Sequence, residues 1–153
     1  MITAIRNRLQ DDRGVIGGAD ALLFGLIGLV FTSLAITNAW IAIDTSLAVS
    51  AAAREGARAA AEAPPDMVVT NAESAMQTVM TQYGRDLADF TMTVELPAGG
   101  IARCAPITTS ANYQINLLAL PFFGDLGTHT IGATHTEIID PFRSSPLQDS
   151  VCG

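Results

Sequence analysis

The chain contains no lysine, and all eight of its basic residues are arginine. They are outnumbered by 15 Asp and Glu residues, which gives a formal net charge of −7. No basic cluster occurs beyond residue 13. Binding to a phosphate backbone needs a concentrated basic surface, so this composition argues against nucleic acid as a partner.

Cysteine and histidine are scarce, with two of each. In an exported domain of this size, the pair Cys104 and Cys152 predicts one disulfide; two unpaired thiols are the alternative. His129, His135 and Glu137 would share one face of a regular strand. Their spread of roughly 26 Å is too long for one ion, so the sequence predicts no metal site.

Signatures of catalysis are missing as well. The chain has no Gly-x-Ser-x-Gly, P-loop, zinc-ligand spacing or dinucleotide fingerprint. A small membrane-bound enzyme would need a pocket of convergent polar groups, and the sequence reveals none. We therefore expect no enzymatic activity, no cofactor and no small-molecule substrate.

A long uncharged run is the feature that the chain does have. Residues 21–43 lie between Asp20 and Asp44 without a charge. As a helix they would extend roughly 35 Å, enough to cross a hydrocarbon core of about 30 Å. We interpret the run as an uncleaved signal-anchor; a cleaved signal peptide is the weaker alternative, and a buried core helix is disfavoured by the length.

Charge around this run predicts its orientation. Basic residues that precede the run belong on the cytoplasmic side, which places the C-terminal domain outside the cell. Trp40 fits the outer interface of such a span. The basic residues before the run are Arg6, Arg8 and Arg13.

Helix-forming sequence continues beyond the uncharged run. Residues 44–63 are rich in alanine and contain no proline, and Pro64-Pro65 then ends the helix. One helix over residues 20–63 would be roughly 65 Å long. The predicted segments are a cytoplasmic basic segment (1–14), a transmembrane helix (15–43), its extracytoplasmic continuation (44–63), a small α+β head (64–143) and a C-terminal tail (144–153).

Small residues recur at four-residue spacing along the predicted helix. Gly17, Ala21 and Gly25 form one row, and Ala53 and Ala57 belong to another. Such rows let helices approach closely, although abundant alanine also meets this spacing by chance. Asp20 at the inner edge of the span is either functional or simply hydrated at headgroup depth.

The C-terminal part predicts a short helix followed by three strands. An amphipathic stripe from Ala72 to Tyr83 indicates the helix, with Thr70 or Asn71 as its N-cap. Hydrophobic alternation then predicts strands over residues 90–96, 107–117 and about 129–139, with the pair Phe122-Phe123 in a loop. This order predicts an α+β fold, an antiparallel meander with its helices on one face.

Two stretches of the chain resemble a known family. Asp12-Arg13-Gly14, followed by a short spacer and the apolar run, and then the string AAREGARAA over residues 52–60, resemble TadE-like proteins. These are pseudopilins or minor pilins of tight-adherence (Flp-type) pilus systems. The resemblance covers residues 12 to about 63, and its most specific residues are Arg54, Glu55, Gly56 and Arg58.

The resemblance implies a structural subunit of a Tad/Flp-type pilus assembly or secretion machinery, with a pilin-like head, acting by helix–helix packing. Its partners would be the lipid bilayer, other pilin-like subunits and pilus assembly proteins. The family's prepilin-peptidase site would fall at Gly14-Val15, with the acid, Asp20, one position later than the family pattern. A processed form and a full-length membrane-anchored form both stay open, in the cell membrane or in the pilus.

A second function remains open. The chain could be a membrane-tethered extracytoplasmic binding module that presents its head to a partner or surface. Phe122-Phe123 or the polar faces of the strands would then make the contact.

Overall fold

The structure is a computed structural model. It describes residues 13–118 and 127–142, which form an α+β fold. This confirms the predicted long N-terminal helix, second helix and three-stranded antiparallel sheet. The strand order is β1-β2-β3. The elements are α1 (Arg13–Glu62), α2 (Val68–Gln82), a 3-10 turn (Leu87–Asp89), β1 (Phe90–Glu95), β2 (Pro106–Asn116) and β3 (Thr128–Ile138).

Helix α1 runs unbroken for 50 residues, which is about 75 Å at the standard rise. It begins at Arg13, two residues before the predicted start of the transmembrane helix at residue 15, and Asp20 is a charge boundary within the helix and not its start. It ends at Glu62, as expected just ahead of Pro64-Pro65.

Helix α2 starts one turn earlier than the predicted cap. Its N-cap is Met67, which makes no side-chain capping bond, so the assignment of Thr70 or Asn71 as N-cap was wrong. At the other end, Gly84 has φ of +68°, and the amides of Gly84 and Arg85 donate to carbonyls of the last turn. This is the Schellman arrangement, in which glycine adopts a left-handed conformation without a Cβ penalty.

The strands bury one face, in keeping with their period of two. Phe90 pairs with Tyr113 between β1 and β2, and Ala111 pairs with Ala133 between β2 and β3. Leu96, the last residue of the predicted first strand, lies just past the end of β1 and is exposed. The buried residues of β2 are Ile107, Thr109, Ala111, Tyr113 and Ile115.

Both helices cover this face of the sheet, as the sequence predicted. The outer half of α1 lies over β2 and β3, and α2 packs beside it toward β1. The apolar core comprises small residues of α1, such as Ala52 and Ala60, together with larger side chains from α2 and the sheet, such as Met76 and Ile107. The outer half of α1 thus forms one side of the head's core.

Gly56 lies where α1 packs tightly against α2. A Cβ built on Gly56 would lie 2.5 Å from Cγ and 3.0 Å from Sδ of Met76, which is fully buried. The central glycine of the AAREGARAA string therefore has a packing role within the chain.

Thr109 links the sheet to α1 by a buried hydrogen bond. Its hydroxyl donates to the carbonyl of Ala53 at 2.6 Å, and its side chain is fully buried. Hydrophobic alternation did not identify this residue, because Thr109 is a polar residue on the face of β2 that is otherwise apolar.

Candidate membrane-spanning helix and its junction with the head

The N-terminal part of α1 stands free of the head. Every described side chain from Asp20 to Val30 is exposed, including those of Leu22 (76%) and Phe24 (75%). A continuous apolar surface of this kind is rare on a protein that meets only water. Within the described residues, α1 is the one helix that is long and apolar enough to cross a membrane, over Asp20–Glu62.

Hydroxyl groups in this apolar segment are mostly satisfied by the helix itself. Thr32 donates to the Gly28 carbonyl at 2.8 Å, and Thr37 donates to the Ser33 carbonyl at 2.9 Å. Bonds of this kind remove the cost of placing a hydroxyl in an apolar medium. The segment is therefore compatible with lipid despite its polar residues.

The head reaches α1 inside the predicted span. The Asn38 side-chain amide donates to the Leu118 carbonyl at 3.2 Å, and the Leu118 amide donates back to Asn38 Oδ1 at 2.8 Å. Ile41 and Ala42 pack against the head's core. The described contacts of the head thus reach down at least as far as Asn38, whereas the charge boundary that the sequence offered lies at Asp44.

An ion pair joins α1 to the end of α2. Arg85 and Asp44 are hydrogen-bonded, with 18% and 44% of their side chains exposed. The guanidinium also lies 5.8 Å from the ring centre of Tyr113. Among the described residues, Arg85 Nε and the Thr45 hydroxyl are buried and have no hydrogen-bond partner. Sequence analysis missed this cluster, because its members are far apart in the chain and match no spacing motif.

The charged residues of the AAREGARAA string lie on the exposed side of α1. Arg58 donates to Glu55 at 2.6 Å and 3.2 Å, and it lies 3.8 Å from Glu62. The hydrogen bond from Arg58 lowers the pKa of the Glu55 carboxyl, and the same contact raises the pKa of Arg58. Arg54 is exposed. These residues form a solvated charged face above the apolar segment.

The two rows of small residues have different surroundings. Ala53 and Ala57 are buried by the chain's own head, so their packing is intramolecular. Ala21 and Gly25 are exposed on the free part of α1. Among the peptidase-site residues, Asp20 is exposed on α1. Gly14, Val15 and Gly17 belong to the first turns of α1.

The remaining predicted sites lie in or beside the sheet. Cys104 is disulfide-bonded and has φ of +62°. Cys152 and the Phe122-Phe123 loop lie outside the described residues. His135 Nε2 is 3.5 Å from Glu137 Oε2. Across the residues that the structure describes, no three His, Cys, Asp or Glu side chains are grouped to hold a metal ion.

Comparison with known proteins yields no relative. No family model matches the chain, and no curated protein or solved structure is similar to it. Functional inference therefore depends on the geometry of α1 and on the sequence motif.

Proposed function

We propose that this chain is a single-pass membrane protein that acts as a structural subunit, a minor pilin or pseudopilin, of a Tad/Flp-type pilus assembly or secretion machinery. One observation carries the proposal. A single helix of 50 residues exposes its apolar side chains between Asp20 and Val30 and contributes to the core of a small head with its second half.

The two halves of α1 suit two different environments, hydrocarbon for the free half and water for the half that carries the head. A helix satisfies its own backbone hydrogen bonds, so its free half can lie in hydrocarbon without further partners. The other half is covered by α2 and the sheet, which suits an aqueous environment. Arginines before the span favour a cytoplasmic N-terminus and a head outside the cell. The string AAREGARAA, which begins at residue 52 in the part of α1 beyond the predicted span, supports the pilin-like assignment.

Alkaline carbonate extraction tests the membrane part of the proposal. We expect the full chain to stay in the membrane pellet while a soluble marker is released. A double substitution, Leu26→Arg with Leu29→Arg, places two charges in the free half of α1, each costing about 2.5–3.5 kcal/mol at a span centre, and should release the chain. Leu87→Arg, on an exposed leucine of the head, is the matched control and should stay in the pellet.

The pilus part needs a separate test in cells that carry a Tad/Flp-type system. We expect the chain to co-purify with other span-bearing pilin subunits after mild detergent extraction. Its deletion should reduce surface piliation, and the wild-type chain should restore it. Normal piliation without the chain, together with an absence of pilin subunits in the purified material, would contradict this assignment.

A second candidate function has one observation in its favour, the outward face of the sheet. Hydroxyls pair across its strands, with Thr108 and Thr136 at 2.8 Å and Ser110 and Thr134 at 3.0 Å. Among the described strand residues on this face, Glu95 is the one that carries charge. Such a surface could bind a neutral polar partner. Loss of partner capture in Ser110→Arg, with pilus assembly intact, would favour this binding module.

A further inference from the structure

Helix α1 carries an apolar face that neither the head nor a bilayer covers completely. We propose that this face packs against the same face of a second, parallel copy of the chain. The inference rests on the proposed function, because anchoring in one membrane with one topology makes the two helices parallel. The face, called the seam below, consists of Leu22, Leu26, Leu29, Ser33, Ile36, Trp40, Ile43 and Leu47.

The seam lies opposite the head. Thr45, Ala48 and Val49 are buried on the head side of α1. At about 100° per residue, Ile36 and Leu47 lie roughly 160–180° around the helix from Thr45. The four upper members of the seam are 57% to 70% exposed. Two copies can therefore meet along their seams with both heads pointing away from the contact.

The height of the head shows that the seam continues above the bilayer. Within the described residues, Asn38 is hydrogen-bonded to Leu118, just past the end of β2, so the lower end of β2 lies close to the level of Asn38. Asn116 and Thr128, at the lower end of the sheet, are exposed. The Thr128 hydroxyl donates to Asn116 Oδ1, but the side-chain amide of Asn116 has further hydrogen-bonding groups that favour water over hydrocarbon. The upper limit of the hydrocarbon core is thus near Asn38.

Leu47 is too far from that limit to be covered by lipid. It lies roughly 13 Å above Asn38 along the helix. The headgroup layer on each side of a bilayer is only about 5–8 Å thick. Leu47 is nevertheless 59% exposed, on the same face as Ile43 at 57%. Protein must cover these side chains if they are to avoid water.

The spacing of the seam indicates a helix as the covering element. Its eight members follow each other at alternating steps of four and three residues. This is the heptad pattern of a left-handed coiled coil, in which each large side chain enters a hole in a parallel neighbour. The pattern crosses from the span into the extramembrane part of α1 without a change of phase.

The seam is complementary to itself, so a second copy of the chain can pack against it. No member of the seam is charged, so in-register pairing brings apolar residues together and creates no repulsion. Ser33 makes no hydrogen bond through its hydroxyl within the described part of the chain. A hydroxyl is its own complement, and such groups bond across paired helices in lipid. Arg54, the next charged residue in phase, would repel its own copy and ends the contact.

Energy transfer between labelled copies in vesicles tests the proposal. Full-length chains carrying a donor or an acceptor at the C-terminus would be reconstituted in vesicles of phosphatidylglycerol and phosphatidylethanolamine over a range of protein-to-lipid ratios. The seam variant is Leu47→Glu, which lies above the hydrocarbon and does not alter the span. Leu87→Glu is the matched control on the head.

We expect wild-type transfer above the random-proximity level, with displacement by unlabelled chain. Leu47→Glu should weaken self-association by roughly tenfold or more, since each copy loses a buried leucine. Leu87→Glu should match the wild type. Random-proximity transfer in the wild type, an unchanged Leu47→Glu, or equal loss in both variants would overturn the inference. Carbonate extraction of the same vesicles separates the two proposals, because a retained monomer leaves the membrane assignment standing.

Discussion

Replacement of Gly56 by alanine tests whether the head is locked to α1 by close helix packing. In an open helix this exchange stabilises by about 1 kcal/mol, because alanine has the better helix propensity. At Gly56 the new methyl would lie 2.5 Å from Met76 Cγ, and Met76 is fully buried. Overpacking of this kind costs about 1–3 kcal/mol. We expect a net destabilisation of the head of about 1 kcal/mol.

A double-mutant cycle makes this expectation specific to the contact. Met76→Ala alone should cost about 2–5 kcal/mol, since it leaves a cavity. Gly56→Ala should then become neutral or stabilising in the Met76→Ala background, because the clash is gone.

Urea unfolding of the detergent-solubilised chain, followed by near-UV circular dichroism of its tyrosines, would measure these changes. Gly28→Ala is the control within α1, because a Cβ there meets nothing within 4 Å. Stabilisation by Gly56→Ala in the wild-type background, equal to an ordinary helix exchange, would refute the packing argument.

Three further outcomes follow from the contacts of the head. Thr109→Val should destabilise it by about 1–2 kcal/mol in urea unfolding, because the buried bond to the Ala53 carbonyl is lost. Arg85→Met should cost about 1–2 kcal/mol in the same assay, since it leaves a partly buried carboxylate on α1 without its cation. The pKa of Glu55 is lowered in the folded state, so its contribution to stability is present above its unfolded pKa and is lost as the pH falls through the folded pKa. Arg58→Gln should return the Glu55 pKa toward its ordinary value in an NMR titration, and an unmoved pKa would contradict the assigned cause.

Local sequence signals predicted most of the fold. The apolar run and the alanine-rich segment after it determine α1, since both are continuous and free of proline. The amphipathic stripe that ends at Tyr83 predicted the end of α2 to within one residue, and Gly84 closes the helix there in a left-handed conformation. Alternation predicted the strands to within one residue at most ends, as a period of two changes the exposed face at every position.

The junction between α1 and the head could not be predicted in this way. Asn38 meets the backbone of Leu118, and Asp44 meets Arg85, and both pairs are remote in sequence. The Cα positions of such residues follow from how the sheet packs on α1, which no local pattern encodes. Polar residues in apolar surroundings also escape a search for hydrophobic periodicity. The start of α2 was misplaced for a related reason: Met67 caps the helix through its backbone alone.

Because α1 passes from the free segment into the head as one unbroken helix, the chain has no joint at the point where it would leave the bilayer. Asn38 and Arg85 fasten the head to this helix at two separate heights. A rotation of the free segment about its long axis therefore rotates the head through the same angle. A tilt of the free segment displaces the top of the head sideways. If a partner moves the lower end of α1, the head and its outermost strand would move with it, because no flexible linker separates them.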